Sequence, residues 1–309
     1  MITHNSLDNL KHLKNPIVTT GTFDGVHLGH TKILKKLIKQ AKKHEGESVL
    51  FTFYPHPRMV LFPYDHGLKL LNTIEEKKIL LEKAGLDHLI LYPFTHEFSR
   101  LSALAYVRDL LVSKIGVHTM IVGYDHHFGK NREGDIHSLK EFGQTFGFKV
   151  KEISALDIED INVSSTKIRN AITAGHISKA NSYLGYNYMF SGEVIKGNQK
   201  GRQIGFKTAN LQLFKEFKLI PDSGVYICVV HINKEIHRGM LNIGHNPTFN
   251  SNEEKSIEVH ILDFEKEIYG ESIQIELLSK LREEQKFDSI ESLVRQLNED
   301  KLNTFQYFK

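Results

Sequence analysis

The order of strand-like and helix-like segments changes near Gly185, and this change constrains the fold more than any other feature. Before that residue, short apolar runs alternate with segments whose apolar residues recur every three or four positions. The predicted strands are 17–20, 48–54, 89–91, 119–122 and 149–153, and the predicted helices between them are 31–44, 73–85, 102–115 and 138–146. Such alternation is typical of a doubly wound parallel sheet, which binds ligands at the carboxyl ends of its strands.

Two further helices are predicted at 165–174 and 177–184, and turn residues then separate strand-like segments. These predicted strands are 189–195, 225–232, 237–243, 256–262 and 272–278. Their spacing predicts an antiparallel β-barrel or a sandwich. A last helix is expected over 289–302, with Asp288 as its cap. We place the boundary near Tyr186, so the predicted domains are residues 1–185 and 186–309.

Composition excludes several classes of protein. Lys and Arg total 40 and Asp and Glu total 37, and the resulting net charge of +3 is too small for a nucleic-acid coat or a membrane-surface role. Cys228 is the only cysteine, which excludes a disulfide framework and a cysteine-ligated zinc site within one chain. No apolar run approaches the roughly 18 residues of a membrane span, and residues 1–15 lack an apolar signal core. We therefore expect a soluble protein of the reducing cytoplasm.

The segment GTFDGVHLGH, from Gly21 to His30, lies between the first predicted strand and the first predicted helix. Its glycines let the backbone approach a phosphate closely, and the helix start offers free N–H groups to an anion. His27 and His30 are three residues apart, so both imidazoles can face one ligand. The alternatives are a glycine turn with two exposed histidines and a zinc-binding pair. The zinc alternative ranks lower because the spacing fixes no third ligand.

These residues, with several motifs that follow in order, carry a resemblance to a known family. The HLGH sequence matches the H-x-G-H signature of nucleotidyltransferases. From about Ile17 to the C-terminal helix, the chain resembles bacterial bifunctional riboflavin kinase/FMN adenylyltransferases, also called FAD synthetases. The resemblance implies an N-terminal doubly wound nucleotidyltransferase domain. It also implies a C-terminal antiparallel β-barrel kinase domain with a terminal helix.

In the first half, the resemblance assigns three further motifs: FTFYPHP at 51–57, VGYD with FGK at 122–130, and VSSTKIR at 163–169. The implied flavin-binding residues are His56, Pro57, Asp125 and Phe128. The implied ATP-phosphate ligands are Gly21, Thr22, Phe23, Gly29, Ser164, Ser165, Thr166 and Arg169. His126 replaces a usual aromatic residue, and Lys167 replaces a usual arginine. A rigid turn and an ordinary helix cap are the structural alternatives for these motifs.

In the second half, the resemblance assigns a phosphate-covering loop that contains Gly197, Gly201 and Arg202. Thr208 and Asn210 match the family's residues for Mg²⁺ and nucleotide phosphate, with Lys207 in the position of a usual proline. A glycine-rich hairpin is the structural alternative for the loop.

Glu258 alternates with Ile257 and Val259 in a predicted strand, so its carboxylate points away from the apolar face. A solvent-facing glutamate is the alternative, whereas the resemblance implies the base that activates the ribityl 5′-hydroxyl of riboflavin. The resemblance also places Arg282 at the flavin, before the last helix.

The implied activity is phosphorylation of riboflavin to FMN, followed by adenylyl transfer from ATP to FMN. Mg²⁺ is the implied cofactor, and the implied partners are riboflavin, FMN, FAD, ATP or ADP and pyrophosphate, with no nucleic acid and no membrane. Self-association into a homo-oligomer is left open. The alternatives are a monofunctional FMN adenylyltransferase with a weakened kinase domain and a non-catalytic, flavin-binding or RNA-interacting regulator. A cytidylyltransferase is compatible with the first half alone.

Overall fold

The computed structural model describes residues 1–8, 10–64, 67–123, 126–153, 163–197, 200–245 and 255–309. Two compact units form along the chain. The first comprises Met1–Leu68 and Lys77–Ser164, and the second comprises Lys69–Glu76 and Ser165–Lys309. Within the described ranges, no helix is both long and apolar enough to cross a membrane.

The first unit is built on a six-stranded parallel sheet. Its strands are Ile2–His4 (β1), Ile17–Thr20 (β2), Ser48–Tyr54 (β3), His88–Pro93 (β4), Thr119–Gly123 (β5) and Lys149–Ile153 (β6). Their order across the sheet is β1-β4-β3-β2-β5-β6. The predicted α/β class is confirmed. The edge strand β1 was not predicted, because three residues are too few to show a periodic pattern.

Helices connect these strands. They are Leu28–Lys43 (α1), Pro57–Leu61 (α2), Ile74–Lys83 (α3), Ala103–Ala105 (α4) and Ile136–Phe146 (α5). A π-helix, Tyr106–Val112, continues α4. The spacing of apolar residues predicted one α-helix over 102–115, since it does not distinguish bonding to the fifth residue from bonding to the fourth. The predicted capping box of α3 is confirmed by the reciprocal hydrogen bonds of Thr73 and Glu76.

The strand order reverses beside β2, and this reversal positions the first site. From β2 the chain proceeds through β3 and β4 on one side, whereas β5 and β6 lie on the other. Ile17 pairs with both Ser48 and Thr119, which fixes β2 between β3 and β5. The carboxyl end of β2 therefore lies at the switch point where sheets of this kind form a crevice. The loop that begins at Gly21 leaves β2 at this point.

The second unit contains a closed antiparallel barrel in the order β10-β11-β8-β7-β12-β9. Its strands are Tyr188–Ile195 (β7), Ala209–Leu213 (β8), Gly224–Ile232 (β9), Glu235–His245 (β10), Lys255–Ile261 (β11) and Ser272–Arg282 (β12). The barrel alternative is confirmed and the sandwich alternative is wrong. Closure depends on the pairing of β8 with β11 and of β12 with β7, which strand spacing does not reveal.

Short helices and one long helix complete the second unit: Ser165–Thr173 (α6), Ile177–Leu184 (α7), Lys200–Gln203 (α8) and Ile290–Tyr307 (α9). The predicted cap of α9 is wrong by one residue. Ser289, not Asp288, accepts from the backbone of Ser292, and the Ser292 hydroxyl completes a reciprocal capping box. Serine in place of glutamate at the third helical position hid this start, because the usual signature carries an acidic or amide side chain there.

A buried ion pair ties Lys69–Glu76 into the second unit. Lys218 Nζ donates to Glu76 Oε2 at 2.6 Å and to the Leu71 carbonyl at 2.5 Å, and it lies 4.4 Å from the ring centroid of Tyr188. The side chains of Lys218 and Glu76 are only 2% and 3% exposed. Leu70 also forms a parallel bridge with Lys218. A charge this deeply buried requires its partner, so these contacts hold the segment firmly.

Candidate active sites

The loop after β2 has an unusual backbone. Gly21, Phe23, Gly25 and Val26 have φ values of +157°, +47°, +91° and +35°. Residues other than glycine rarely adopt positive φ values, and a β-branched residue such as Val26 does so only under strain. Strain of this kind persists only where the surroundings hold the backbone in place, and it concentrates at functional sites.

This loop brings His27 and His30 side by side, and their common role toward a ligand remains a prediction. His27 caps α1, and its Nδ1 accepts a hydrogen bond from the backbone N–H of His30 at 3.4 Å. The two rings stack with centroids 3.7 Å apart, and Phe23 stacks against His30 at 4.6 Å. The three rings therefore form a column at the start of the helix.

Burial keeps both imidazoles neutral near pH 7. It lowers the pKa of His27 to about 4, although the neighbouring Asp24 carboxylate opposes that shift. Burial lowers the pKa of His30 well below its usual value, with smaller contributions from His27 and Lys77. Because Nδ1 of His27 accepts a hydrogen bond, the proton of its neutral ring lies on Nε2. That N–H is suited to donate to a phosphate oxygen.

Lys77 on α3 was missed from the sequence. Its side chain is 6% exposed, and its Nζ donates to the carbonyl of Thr22 at 2.7 Å. Burial lowers its pKa, and Asp24 opposes that shift. A signal was present, because Lys77 shares a helix face with the buried Leu80 and Leu81. A lysine on an apolar face is almost never fully buried unless it is paired.

The residues predicted to bind the flavin substrate of adenylyl transfer lie in different structural environments. Phe128 is 7% exposed and packs against Tyr106 and His126, with ring centroids 5.7 and 5.8 Å away. His56 caps α2 by accepting from the backbone of Arg58, and Pro57 is the first residue of that helix. Asp125 lies outside the described residues. Their flavin-binding role remains a prediction.

The remaining residues assigned to ATP phosphates lie at α6. Ser165 begins this helix in the second unit, Ser164 ends the first unit, and Thr166 is exposed. Arg169 Nε donates to the carbonyl of Lys69 at 2.9 Å, which helps to hold the segment before α3. That contact accounts for one donor of its guanidinium and leaves its phosphate role a prediction.

A cavity of ≈ 300 Å³ is lined by residues of the barrel strands, of the segment after β12 and of the terminal helix α9. Phe206, Val225, Met240, Phe287, Leu293 and Leu297 form its apolar lining, and Thr208, Asn242, Glu258, His260, Arg282 and Glu284 form its polar lining. An apolar pocket with a few convergent polar groups is the usual form of a small-molecule site.

Glu258 lies at the polar side of this cavity. Its Oε2 accepts a hydrogen bond from the Thr208 hydroxyl at 3.1 Å. Register places Asn210 and Asn242 opposite Glu258 on the two neighbouring strands. A Cβ at Gly197 would lie only 2.1 Å from Asn210 Nδ2, so the predicted loop lies directly against this asparagine. The structure therefore brings together Gly197, Thr208, Asn210 and Glu258, and it adds Asn242, which fits the family pattern but had no predicted site role.

The segment before Thr208 is held from two sides. His260 Nδ1 donates to the carbonyl of Lys207 at 2.7 Å, and the Lys207 ammonium pairs with the Glu265 carboxylate. A Cβ at Gly201 would lie 2.2 Å from the carbonyl of Phe206, which requires glycine there. Arg202 is exposed, 3.9 Å from Glu267. Lys207, which departs from the family pattern, thus has its own partner.

Arg282 fastens the terminal helix to the barrel beside the cavity. Its Nε and Nη2 lie 3.0 and 2.8 Å from Asp300 Oδ2, and Nε also lies 3.0 Å from Oδ1. Asp300 is 1% exposed and also accepts from Gln296. A bidentate pair of this kind fixes geometry. Contact between Arg282 and a flavin remains a prediction.

Comparison with known proteins covers both units. Residues 9–167 match the family model described as FAD synthetase, and residues 184–308 match the one described as riboflavin kinase. The bifunctional riboflavin kinase/FMN adenylyltransferase of Listeria monocytogenes is 39% identical over 95% of this chain and 93% of the relative. The protein of the same name from Escherichia coli is 34% identical over 94% and 92%. The crystal structure of a protein named macrolide-efflux protein, from Streptococcus pneumoniae, is 32% identical with a TM-score of 0.89, covering 98% of both chains.

Proposed function

The chain belongs to the bifunctional riboflavin kinase/FMN adenylyltransferase family, and we propose that the two clusters described above are its two catalytic sites. The enzyme phosphorylates riboflavin to FMN and joins FMN to the adenylyl group of ATP, which yields FAD and pyrophosphate. The similar Streptococcus pneumoniae protein is named for macrolide efflux, whereas both family models that this chain matches describe flavin enzymes.

For adenylyl transfer, we assign His27 and His30 to the α-phosphate of ATP. An oxygen of the FMN phosphate attacks the α-phosphorus, and the bond to pyrophosphate breaks. A phosphate monoester is already an oxyanion, so this step needs no base. Catalysis depends instead on positioning and on donors aimed at the growing negative charge. The neutral, buried imidazoles and the start of α1 are suited to that role.

For phosphorylation, we assign Glu258 as the general base. The riboflavin 5′-hydroxyl loses its proton to the Glu258 carboxylate as its oxygen attacks the γ-phosphorus of ATP, and ADP leaves. The hydrogen bond from Thr208 orients the carboxylate, and the apolar part of the cavity suits a flat flavin ring. Here a base is needed, because a hydroxyl is a poor nucleophile until its proton is removed.

Mg²⁺ is the cofactor proposed for the kinase site. Thr208 and Asn210 offer a hydroxyl and an amide oxygen on neighbouring positions beside Glu258, and hard oxygen donors are the ligands that Mg²⁺ prefers. The described residues include no group of three or more His, Cys, Asp or Glu side chains that could hold a metal. The two donors from Thr208 and Asn210 fit an ion that also takes oxygens from substrate phosphates. When bound, it neutralises charge on those phosphates.

The observation that carries the proposal is the hydrogen bond between Thr208 and Glu258 at the cavity, with Asn210 in register opposite the carboxylate. The hydrogen bond and the register together bring into one place three residues that were each predicted for the kinase reaction. The weakened-kinase alternative depended on Lys207. The contacts of that residue leave Thr208 and Glu258 together, so we do not favour it. We also propose a cytoplasmic location and a division of catalytic labour near residue 186.

The test is to incubate the purified protein with ATP, Mg²⁺ and riboflavin and to separate FMN and FAD by chromatography. FAD formed from riboflavin supports both sites. FAD formed only from supplied FMN would restrict activity to the first unit. Omission of Mg²⁺ should abolish the kinase step, and activity that persists in excess chelator would refute the metal assignment.

A further inference from the structure

We propose that Lys77 is a positioning residue for adenylyl transfer, because its buried ammonium group holds the strained loop that presents His27. The inference rests on the proposed role of His27 and His30. It concerns a residue that belongs to none of the motifs by which the chain resembles its family. Lys77 also lies outside the loop that it holds, on the separate helix α3.

The first support is the length of the hydrogen bonds that hold this loop. Lys77 Nζ donates to the Thr22 carbonyl at 2.7 Å. The Thr52 hydroxyl reaches the same carbonyl at 3.4 Å. The bonds from Gly21 N to Phe51 O and from Val26 N to Phe23 O are both 3.3 Å. The bond from Lys77 is charge-assisted as well as shorter, and charge-assisted bonds are roughly twice as strong as neutral ones.

The second support is the energetic cost of placing a cation there. Lys77 is 6% exposed and Asp24 is 3% exposed, so an ammonium and a carboxylate are both held away from water near the loop. Burying a charge is strongly unfavourable unless it is paired and hydrogen-bonded. An apolar side chain at position 77 would pack on Leu80 and Leu81 without that cost. We therefore attribute the presence of a buried ammonium group at position 77 to its hydrogen bond with the Thr22 carbonyl.

The geometry connects Lys77 to the reacting groups through a short stretch of backbone. Thr22 lies between Gly21 and Phe23, which both have positive φ, and the loop ends at His27, the cap of α1. Phe23 stacks on His30. Release of the Thr22 carbonyl would let the strained loop relax and would shift the ring column. A shift of about 1 Å in catalytic geometry costs on the order of a hundredfold in rate.

The charge of Lys77 affects the pKa of His30, and a purely structural role of Lys77 would leave that pKa unchanged. The groups that act on His30 from the surrounding elements are His27 on the loop and Lys77 on α3, with Asp24 beside both of them. The Lys77 charge lowers the pKa of His30. Its removal should therefore raise that pKa and move the acid limb of the rate profile to higher pH.

The experiment compares Lys77→Met with Lys83→Met, an exposed lysine on the same helix. We expect Lys77→Met to lower kcat for FAD formation from FMN by on the order of a hundredfold, with a smaller change in KM. Riboflavin phosphorylation, which uses the second unit, should stay unchanged, and a circular-dichroism spectrum that matches the wild type is the control for folding. Lys83→Met should match the wild-type enzyme in both steps. The acid limb of the kcat profile should shift upward only in Lys77→Met.

Two results would overturn the inference: a Lys77→Met enzyme with kcat within twofold of wild type, or an unshifted acid limb. If Lys77→Met does not fold, Lys77→Arg and Lys77→Gln decide the matter. Arginine retains the cation and should preserve most activity, whereas glutamine should not, and equal losses would contradict the proposal. Wild-type protein that makes no FAD from FMN would refute the proposed function instead, independently of Lys77.

Discussion

The two proposed sites of this enzyme differ in how they hold their reacting groups. In the first unit, His27 and His30 lie on a strained loop and a helix start, and burial keeps them neutral. In the second unit, strand register pairs Asn210 with Glu258, and Thr208, just before β8, donates a hydrogen bond to Glu258 at a cavity. One site is held by a costly backbone and buried groups, and the other by ordinary sheet geometry.

The difference follows from the chemistry of the two nucleophiles. A phosphate oxyanion needs no deprotonation, so the first site is organised around neutral donors with lowered pKa values. A hydroxyl needs a base, so the second site offers a carboxylate that reaches a cavity. If this comparison is correct, each site should fail in its own way when its key group is changed.

The largest effect is expected for Glu258→Gln, which keeps the volume and removes the base. Riboflavin phosphorylation should fall by roughly 10²–10⁴-fold, while FAD formation from FMN stays nearly unchanged. The measurement is product formation with riboflavin and then with FMN as substrate. Glu193→Gln, an exposed strand glutamate on β7, is the matched control. Near-normal FMN formation by Glu258→Gln would show that Glu258 is a surface glutamate without a catalytic role.

The reciprocal change is His30→Ala. Loss of one preorganised donor at a phosphate should lower FAD formation by on the order of a hundredfold or more, with riboflavin phosphorylation retained. His96→Ala, an exposed histidine of the same unit, should behave as wild type in both assays. Unchanged FAD synthesis in His30→Ala would remove the H-x-G-H assignment, whereas equal loss of both steps would indicate misfolding.

Acid should destabilise the first unit through His27. The unfolded chain protonates this imidazole near pH 6.5, whereas the folded protein does so only near pH 4. Stability from this group is therefore complete above pH 6.5 and is lost as the pH falls towards 4. Between pH 8 and 5.5 the loss is about 1.4 kcal/mol, from one pKa unit of differential protonation.

Calorimetric melts at both pH values would measure this loss. His27→Asn keeps a good helix cap and removes the titrating group, so its transition should depend less on pH than that of the wild type. The same pH dependence in both proteins would show that His27 does not titrate as described.

The smallest effect is expected at Lys207. Its pair with Glu265 is exposed, and exposed pairs contribute only about 0–1 kcal/mol. The hydrogen bond that His260 donates to the Lys207 carbonyl does not require the lysine side chain. Lys207→Pro should therefore leave the KM for ATP in the kinase step unchanged or lower it, and should leave the FAD step untouched. Lys266→Ala, another exposed lysine paired to a glutamate, is the control. A tenfold loss of kinase activity in folded Lys207→Pro would assign the lysine a phosphate-binding role.

Much of the first unit could be predicted because its signals are local. The strand over residues 17–20 and the capping box of Thr73 and Glu76 are both visible in a few neighbouring residues. The π-helix at Tyr106–Val112 and the edge strand Ile2–His4 were not predictable, because neither has a distinctive spacing. Barrel closure was left open because it depends on strands far apart in the sequence.

The sites show the same division. Glu258 stood out by its alternation and its motif, whereas its contact with Thr208 appears only in the structure. Lys77 carried only the weak signal of a lysine on an apolar helix face, and its partner Thr22 is 55 residues away. Asn242 faces Glu258 only through strand register. Contacts between residues far apart in the sequence are what sequence motifs do not reveal.

The ion pair between Lys218 and Glu76 limits how such a chain can be rearranged by recombination. A gene fragment that begins at residue 186 encodes the whole barrel but omits Glu76. The protein made from it would therefore carry the Lys218 ammonium without its counter-ion. Breaking a buried pair by removing one partner costs roughly 3–5 kcal/mol, which is a large part of the stability of a small domain. A lineage that separates the kinase from its neighbour must therefore also replace Lys218, or carry the eight residues from Lys69 to Glu76 along with the barrel.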